Sequence, residues 1–336
     1  MARDVMASFA SHDILSPSMT RLTAPEQVRV FAPGGIGNLG PGFDILGCAV
    51  TGLGDEVALA WSDEARPGEM IIADPGHPEL PRDPMHHSAA IAAAAVIRAS
   101  GITAPRGLVM HARKGLPLAG GQGGSAASAV AGAVAMNELL DAPLDRQALL
   151  TAALDAEATV AGRHADNVAA ALLGGVVLVR ALEPLDVVRL PFPPELRAVL
   201  VHPDQRLRTA EARAVLPATV DRRTLIQQSA NIAGVVAALA SGDLELLRRS
   251  VDDRVVEPAR ARLLPGFSEA KAAALAEGAL GCSISGAGPT SFALAPNDDR
   301  AQAIGRAMCA AYERCGITAR SRVGRIDAEG ARVLKS

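Results

Sequence analysis

The segment that most limits what this chain can fold into is Pro117-Leu-Ala-Gly-Gly-Gln-Gly-Gly-Ser125-Ala-Ala-Ser128, which runs without a break into Ala-Val-Ala-Gly-Ala-Val-Ala-Met-Asn137. Its four glycines leave backbone N–H groups uncovered by side chains, and the alanine-rich continuation is a strong helix former. A glycine turn feeding a helix presents free N–H groups and the positive end of the helix dipole, which together make an anion cradle. The pattern predicts a helix from Ser125 to Leu140, stopped by Asp141-Ala-Pro143. The loop lacks the lysine of G-x-x-x-x-G-K-[ST], so it is not the P-loop of that motif. On these residues alone, a phosphate cradle and a flexible turn before a serine-capped helix are equally good readings.

Two further glycine runs bear on the choice. Gly35-Ile-Gly37-Asn-Leu-Gly40 follows the strand-like Val28-Arg-Val-Phe31 and spells the dinucleotide fingerprint G-x-G-x-x-G. That fingerprint works only if its third glycine lies inside a helix facing the pyrophosphate. Here Pro41-Gly42 follow at once, and a helix tolerates proline only in its first turn. The nicotinamide reading fails, and Pro33 to Gly42 is expected to be a loop. A third stretch, Gly281-Cys-Ser-Ile-Ser-Gly-Ala-Gly-Pro-Thr290, ends just before the strand-like Ser291–Ala295. Three such loops at strand ends predict a ligand cleft between domains.

Strands are expected at residues 56–61, 70–72, 107–111, 176–180 and 198–202. Helices are expected at 88–100, at 145–161 with Asp145 as cap, at 165–173 closed by Gly174-Gly175, and at 222–241, 243–251 and 269–277. A chain of 336 residues exceeds what one core usually supports, so two domains are expected. The Pro-punctuated stretch Glu183 to Pro194 reads as the hinge. Residues 1–25 then form a loose extension, 26–185 an N-terminal domain and 186–336 a C-terminal α+β domain.

Composition removes several function classes. With 49% hydrophobic and 2% aromatic residues, the cores must be built from Ala, Val, Leu and Ile. The longest strictly apolar run, Ala89 to Ile97, falls far short of the roughly 18 residues that span a bilayer, so no membrane association is expected. Residues 1–20 lack the apolar centre of a secretion signal, which points to the cytoplasm. A net charge of −3 with both signs interspersed argues against a nucleic-acid partner. Cys48, Cys282, Cys309 and Cys315 make no CxxC pair and read as reduced, buried thiols. Lys114, Lys271 and Lys335 are the only lysines, so a mechanism needing a buried one has few candidates.

The order of the three glycine segments resembles the GHMP kinases, the superfamily of galacto-, homoserine, mevalonate and phosphomevalonate kinases. The likeness narrows to homoserine kinases in Asn38-Leu-Gly-Pro-Gly-Phe-Asp44-Ile-Leu-Gly47, His164-Ala-Asp-Asn167-Val-Ala and Thr209-Ala-Glu-Ala-Arg213. It continues in Val256-Glu-Pro-Ala-Arg260, Ile284-Ser-Gly-Ala-Gly-Pro-Thr290 and Asp327 to Leu334. The resemblance implies a two-domain α+β fold: an N-terminal, ATP-binding ribosomal protein S5 domain 2-like domain and a ferredoxin-like C-terminal domain, with substrates in the cleft. Two departures stand out. The family's phosphate loop usually reads GLGSS where this chain has Gly121-Gln-Gly-Gly-Ser125, and Asp83-Pro-Met-His-His87 differs where relatives line the adenine.

Phosphoryl transfer needs positioning and charge neutralisation more than covalent help. The resemblance implies that Pro117, Leu118, Ala119, Gly120, Gly121, Gln122, Gly123, Gly124, Ser125, Ala126 and Ala127 hold ATP, and that Ser125 and Glu157 bind Mg2+. Homoserine offers an ammonium, a carboxylate and a hydroxyl. By the same resemblance Asp44, with Asn38, takes the ammonium; Arg213 and Arg260 take the carboxylate; and His164, Asp166 and Asn167 complete the substrate site. Asn167, Arg213 and Glu157 are the implied catalytic set. Asn167 stands where other members carry a catalytic Asp, and an amide is no base at neutral pH, so it would orient the hydroxyl while the proton passes to phosphate. Asp166 is a rival base, but its expected work is to fix His164 or cap the next helix. The alternatives are a GHMP kinase for another small alcohol and a silent nucleotide-binding protein; a homodimer is a family expectation only.

Overall fold

The computed structural model describes residues 25–141 and 144–335. The expected N-terminal extension, apart from Pro25, and the expected helix stop at Ala142-Pro143 lie outside the described residues.

Two long antiparallel strands, β1 (Gln27–Gly37) and β2 (Leu46–Ser62), make the spine of the first sheet. Then follow β3 (Met70–Asp74), α1 (Ser88–Ser100), β4 (Gly107–Arg113), α2 (Gly124–Leu139), α3 (Arg146–Val160), α4 (Ala165–Leu173), β5 (Val176–Leu182) and β6 (Leu185–Leu190). A second group comprises β7 (Arg197–Pro203), α5 (Thr209–Ala214), α6 (Arg222–Ser241), α7 (Leu244–Ser250) and α8 (Val256–Arg260). After a tight turn at Ala261–Leu263 come α9 (Phe267–Ala276), β8 (Gly281–Ile284), β9 (Ser291–Ala295), α10 (Asp298–Arg314), β10 (Ala319–Arg325) and β11 (Arg332–Val333).

The first sheet runs β11-β1-β2-β4-β3, with β5 on the far end of β2 and β6 beyond it; the second runs β10-β7-β9-β8. Among the described residues, only β3 and β4 pair in parallel, with α1 as their crossover. The expected hinge therefore carries a strand. Val177 of β5 pairs with Arg189 of β6, so the first sheet extends to Leu190 and is rejoined at the chain's end by β11 on β1. Pro184 sits in the short β5–β6 connection, and proline marks a hairpin turn as readily as a linker.

The expected loop at Pro33–Gly42 is also partly strand, because β1 continues to Gly37 past an irregularity between Pro33 and Gly35. A side-chain carbon on Gly35 would lie 2.0 Å from the Cys48 carbonyl oxygen, so the strand can continue only with glycine there. No helix follows, as the failed dinucleotide fingerprint requires. The amphipathic α10, with Ala301, Ile304, Met308, Ala311 and Tyr312 buried and Asn297 as its cap, is absent from the expectations although its spacing is helical. Of the cysteines, Cys48 and Cys282 are buried, but Cys315 is exposed.

Alanine sets the inner architecture. α2 is buried nearly all round, which puts it at the centre of the first layer between α1, α4 and the sheet. The alternating residues of β7 face two cores: Val199 and Val201 pack on α9 and α10, while Ala198 and Leu200 pack on α6 and on Ile36, Leu46 and Cys48 of the first sheet. An apolar seam thus joins the two sheets. Among the described residues, no helix is long and apolar enough to cross a membrane.

Close approach of α1 and α2 depends on Gly132, where an added carbon would lie 2.2 Å from the Ala89 carbonyl oxygen. Alanine in a helix ordinarily gains about 1 kcal/mol over glycine, but a clash with a backbone atom of a packed neighbour outweighs that. Gly132→Ala is expected to lower the free energy of unfolding by about 2 kcal/mol, read from the urea midpoint. An unchanged or raised midpoint would show that the α1–α2 packing gives way easily.

Candidate active site

The glycine turn ahead of α2 closes one end of a cavity of about 330 Å3 that opens between the two sheets. Gly123 takes a left-handed conformation and caps α2 without a side-chain bond, so the helix starts at Gly124 and Ser125 is not its cap. The Ser125 hydroxyl instead donates to Glu157 Oε1 on α3 at 2.8 Å. Burial pushes the Glu157 carboxyl up to about 7, opposed by its bond to Ser125 and reinforced by the charge of Asp166. Its second oxygen, Oε2, is buried with no partner. A hydroxyl and a carboxylate with a free lone pair form a hard oxygen donor set, which fits a small divalent cation that keeps most of its waters.

The turn is held by a side chain that the sequence-based site did not include. The Lys114 side chain is nearly inaccessible, pairs with Asp55 and donates to the Gly124 carbonyl at 2.9 Å and to Ser128 Oγ at 3.0 Å. Asp55 in turn accepts from Gly115 N at 3.1 Å and from Ser128 Oγ at 2.7 Å. Its buried charge is thus balanced and nearly saturated with donors. The scarcity of lysine was the available signal for Lys114; nothing near Asp55 in the sequence marked it.

The far end of the cavity gathers residues from segments more than a hundred positions apart. After β1 the chain turns through Asn38, Leu39 and Asp44 with positive φ, conformations that Asn and Asp tolerate best. Asn38 Oδ1 accepts from Asp44 N at 3.1 Å and its amide donates to Gly286 O at 3.0 Å. Asp44 pairs with Arg213 of α5 at 2.6 Å, and His164 Nδ1 lies 3.7 Å from its other oxygen. Burial pushes the His164 pKa down, favouring the neutral ring at pH 7. Arg260 is buried at the end of α8 and donates to Ala212 O at 3.0 Å and Gly286 O at 2.8 Å. Phe43 stacks beneath both guanidiniums, 5.1 Å from Arg213 and 5.2 Å from Arg260. This ring was not among the expected site residues.

Asp166 is fully buried, and burial, with Asp44 nearby, pushes its carboxyl up to about 6. Its Oδ2 accepts from Asn38 N at 3.2 Å and from Asn167 Nδ2 at 3.4 Å. It therefore fixes Asn38 and Asn167 rather than His164, and His164, not Asp166, is the capping residue of α4. Asn167 reaches the cavity because two glycines face it: carbons added at Gly37 or Gly123 would lie 2.8 Å and 3.0 Å from its amide.

Most expected site residues do line one cavity: Asn38, Asp44, Glu157, His164, Asp166, Asn167, Arg213, Arg260 and the loop from Pro117 to Ser125 except Gln122. Gln122, Ala126 and Ala127 do not line it. Ala126 and Ala127 belong to the buried face of α2, and Gln122 points away, donating to Thr290 Oγ1 at 3.1 Å. The departure at Gln122 is thus absorbed by a contact to Thr290, in the turn just before β9. The divergent segment Asp83–His87 supplies His86 and His87 to the cavity wall, and Leu80 and Pro81 just before it line the same cavity with Pro117 and Leu118.

A phosphate cradle and a two-layer α+β architecture of this kind define a GHMP-type kinase. Residues 87–175 match the family described as GHMP kinases N terminal domain, and residues 235–314 match GHMP kinases C terminal. The homoserine kinase of Arabidopsis thaliana is 44% identical over 315 residues, covering 92% of this chain and 85% of that protein. That of Xylella fastidiosa is 40% identical, covering 93% and 96%. The crystal structure of homoserine kinase from Cytophaga hutchinsonii superposes with a TM-score of 0.87 at 41% identity, over 93% of this chain and 98% of that one. The chain belongs to the homoserine kinase family. Mevalonate kinase from L. major, at 18% identity and a TM-score of 0.66, shares the fold.

The raised Glu157 carboxyl has a consequence for stability. The folded protein keeps that proton up to about 7, whereas an ordinary glutamate releases it near 4.5. The neutral carboxyl supports the fold fully below about pH 4.5, and this support is lost as pH rises through 7. Glu157→Gln escapes the loss, so its stability relative to the parent should grow by about 3 kcal/mol between those limits. Denaturation at a series of pH values without nucleotide or metal tests this; a pH-independent difference would show that the carboxylate is charged there without penalty.

Proposed function

We propose that this cavity transfers the γ-phosphoryl group of ATP to the side-chain hydroxyl of L-homoserine, giving O-phospho-L-homoserine and ADP. The observation that carries the reading is one cavity with an α2 N-terminus at one end and the Asp44, Arg213 and Arg260 set at the other. The first suits phosphate, and the second matches the ammonium and carboxylate of an amino acid.

Phosphates would rest on the N–H groups of Gly121 to Ser125, with the adenine against Leu80, Pro81 and Leu118. Ser125 and Glu157 would hold Mg2+, which supplies charge neutralisation on the phosphates. Homoserine would place its ammonium at Asp44, its carboxylate on the guanidiniums of Arg213 and Arg260, and its carbon chain toward Asn167. Phe43 aligns the two forks by lying flat beneath both.

Asp166 takes the Asn167 NH2 group, which leaves the amide oxygen facing the cavity as an acceptor for the substrate hydroxyl. That bond aims an oxygen lone pair along the line of attack. The new O–P bond forms as the bond to the β-phosphate oxygen breaks, and the hydroxyl proton passes to a phosphate oxygen. Lys114 holds the Gly124 carbonyl, fixing the N–H groups that receive the phosphates.

Coupled ADP-release assays with homoserine, serine, threonine, shikimate and mevalonate offered separately test the substrate. Turnover only with mevalonate or shikimate would replace the reading with another small-alcohol kinase, and turnover with none would leave a silent nucleotide binder. Arg213→Met should raise the homoserine KM by about tenfold or more, the cost of a charge-assisted bond, while the ATP KM moves by less than about twofold. Equal losses for both substrates would remove Arg213 from the amino-acid end.

A further inference from the structure

The two halves of the amino-acid site come from separate stretches of chain. Asn38, Phe43 and Asp44 lie on the turn after β1, and Arg260 ends α8. One side chain outside the cavity bonds to both. Gln228 of α6 is buried, and its Nε2 donates to Pro41 O within that turn at 2.8 Å and to Asp253 Oδ1 at 3.0 Å. Its Oε1 accepts from Arg254 N at 2.8 Å. Both amide hydrogens and the amide oxygen are therefore in use.

Asp253 sets the start of α8. Its Oδ1 also accepts from Val255 N at 2.9 Å and Val256 N at 3.0 Å, and its Oδ2 from Glu257 N at 2.9 Å. At the other end of this short helix, Arg260 Nη1 donates to Gly286 O, the same carbonyl that receives the Asn38 amide. The path closes on itself: Pro41, Gln228, Asp253, α8, Arg260, Gly286, Asn38 and back to Pro41.

We infer that Gln228 is a positioning residue for the amino-acid substrate, fixing the spacing between the Asp44 carboxylate and the Arg260 guanidinium without touching either. The inference rests on the assignment of these groups to the substrate ammonium and carboxylate. A glutamate at this position would set an acceptor against the Pro41 carbonyl and the Asp253 carboxylate, and an asparagine is one methylene too short to hold both. Asn231, one turn along α6, makes the matching control. It is buried and donates to Asp252 O at 2.7 Å, so it tethers the same segment but has no bond to the turn after β1.

Steady-state kinetics on the full chain test the coupling. Gln228→Met should raise the homoserine KM about tenfold and leave the ATP KM within about twofold, since the bonds lost link only the amino-acid groups. Asn231→Leu should lower the thermal midpoint yet leave the homoserine KM within about twofold. If the methionine variant does not fold, Gln228→Asn reads the same split. An unchanged homoserine KM at position 228, an equal rise for both substrates, or an equal rise in Asn231→Leu would overturn the inference. A response to Arg213→Met with none to Gln228→Met would sink the coupling alone; silence in both would take the site assignment with it.

Discussion

Main chain meeting main chain at three glycine segments is the contact on which the rest of this structure depends. Gly35 N donates to Gln122 O at 3.1 Å, Gly286 N to Gly37 O at 3.1 Å, and Thr290 N to Gly120 O at 3.3 Å. The end of β1, the turn before α2 and the turn before β9 are thereby tied together. A carbon on Gly121 would lie 2.5 Å from Ser285 O and 2.7 Å from Gly288 O, so no side chain fits between them. Because the knot is made of backbone, it leaves the N–H groups at the α2 start uncovered and sets their distance from the second sheet. Ser285 adds a hydroxyl bond to Gly121 O at 2.7 Å, and the Gln122–Thr290 bond adds another across the same seam.

Around that knot the charged side chains of the cavity are largely paired with one another. Beside the start of α2 Lys114 is neutralised by Asp55, so the positive potential there comes from helix and turn N–H groups. Charge on Glu157 and Asp166 is costly in this cavity, and burial raises both carboxyls toward neutrality. Each also keeps one buried oxygen without a partner, a cost that a stable protein tolerates mainly where a ligand later supplies the bond. Across the cavity Asp44 and Arg213 pair with each other at 2.6 Å, a bond that under the proposed function would part to take the substrate's ammonium and carboxylate. Burial and the neighbouring Arg213 also lower the Arg260 pKa, to about 10, which still leaves it fully charged at neutral pH.

Much of this was legible in the residues because local chemistry imposed it. The turn at Gly120–Gly124 feeding α2, the Asp145 cap of α3, which accepts from Ala148 N, and the closing Gly174 after α4 are all set by neighbours in sequence. Where reading failed, a distant partner decided. β1 passes through Gly35 because β2 lies beside it, with Gly35 opposite Ala49, and residues 185–190 form β6 because β5 lies beside them. Asp166 bonds to Asn38, 128 positions away, which no local helix rule could foresee. Gln122 stands out in the sequence only as a departure from the family's loop, and its side chain serves the seam to Thr290.

By itself, the sequence determined which peptide groups stay bare and which segments become helices, because glycine, alanine and capping residues act over a few positions. Through its motifs it also marked the acid, amide and guanidinium residues of an amino-alcohol kinase. Only the tertiary structure decided which of these converge. It placed Glu157 against Ser125, Asp166 against Asn38, Phe43 under two arginines and Gln228 between Pro41 and Asp253. Each is a contact between elements far apart along the chain, governed by packing that brings their backbones together, and local propensity carries no information about such distances.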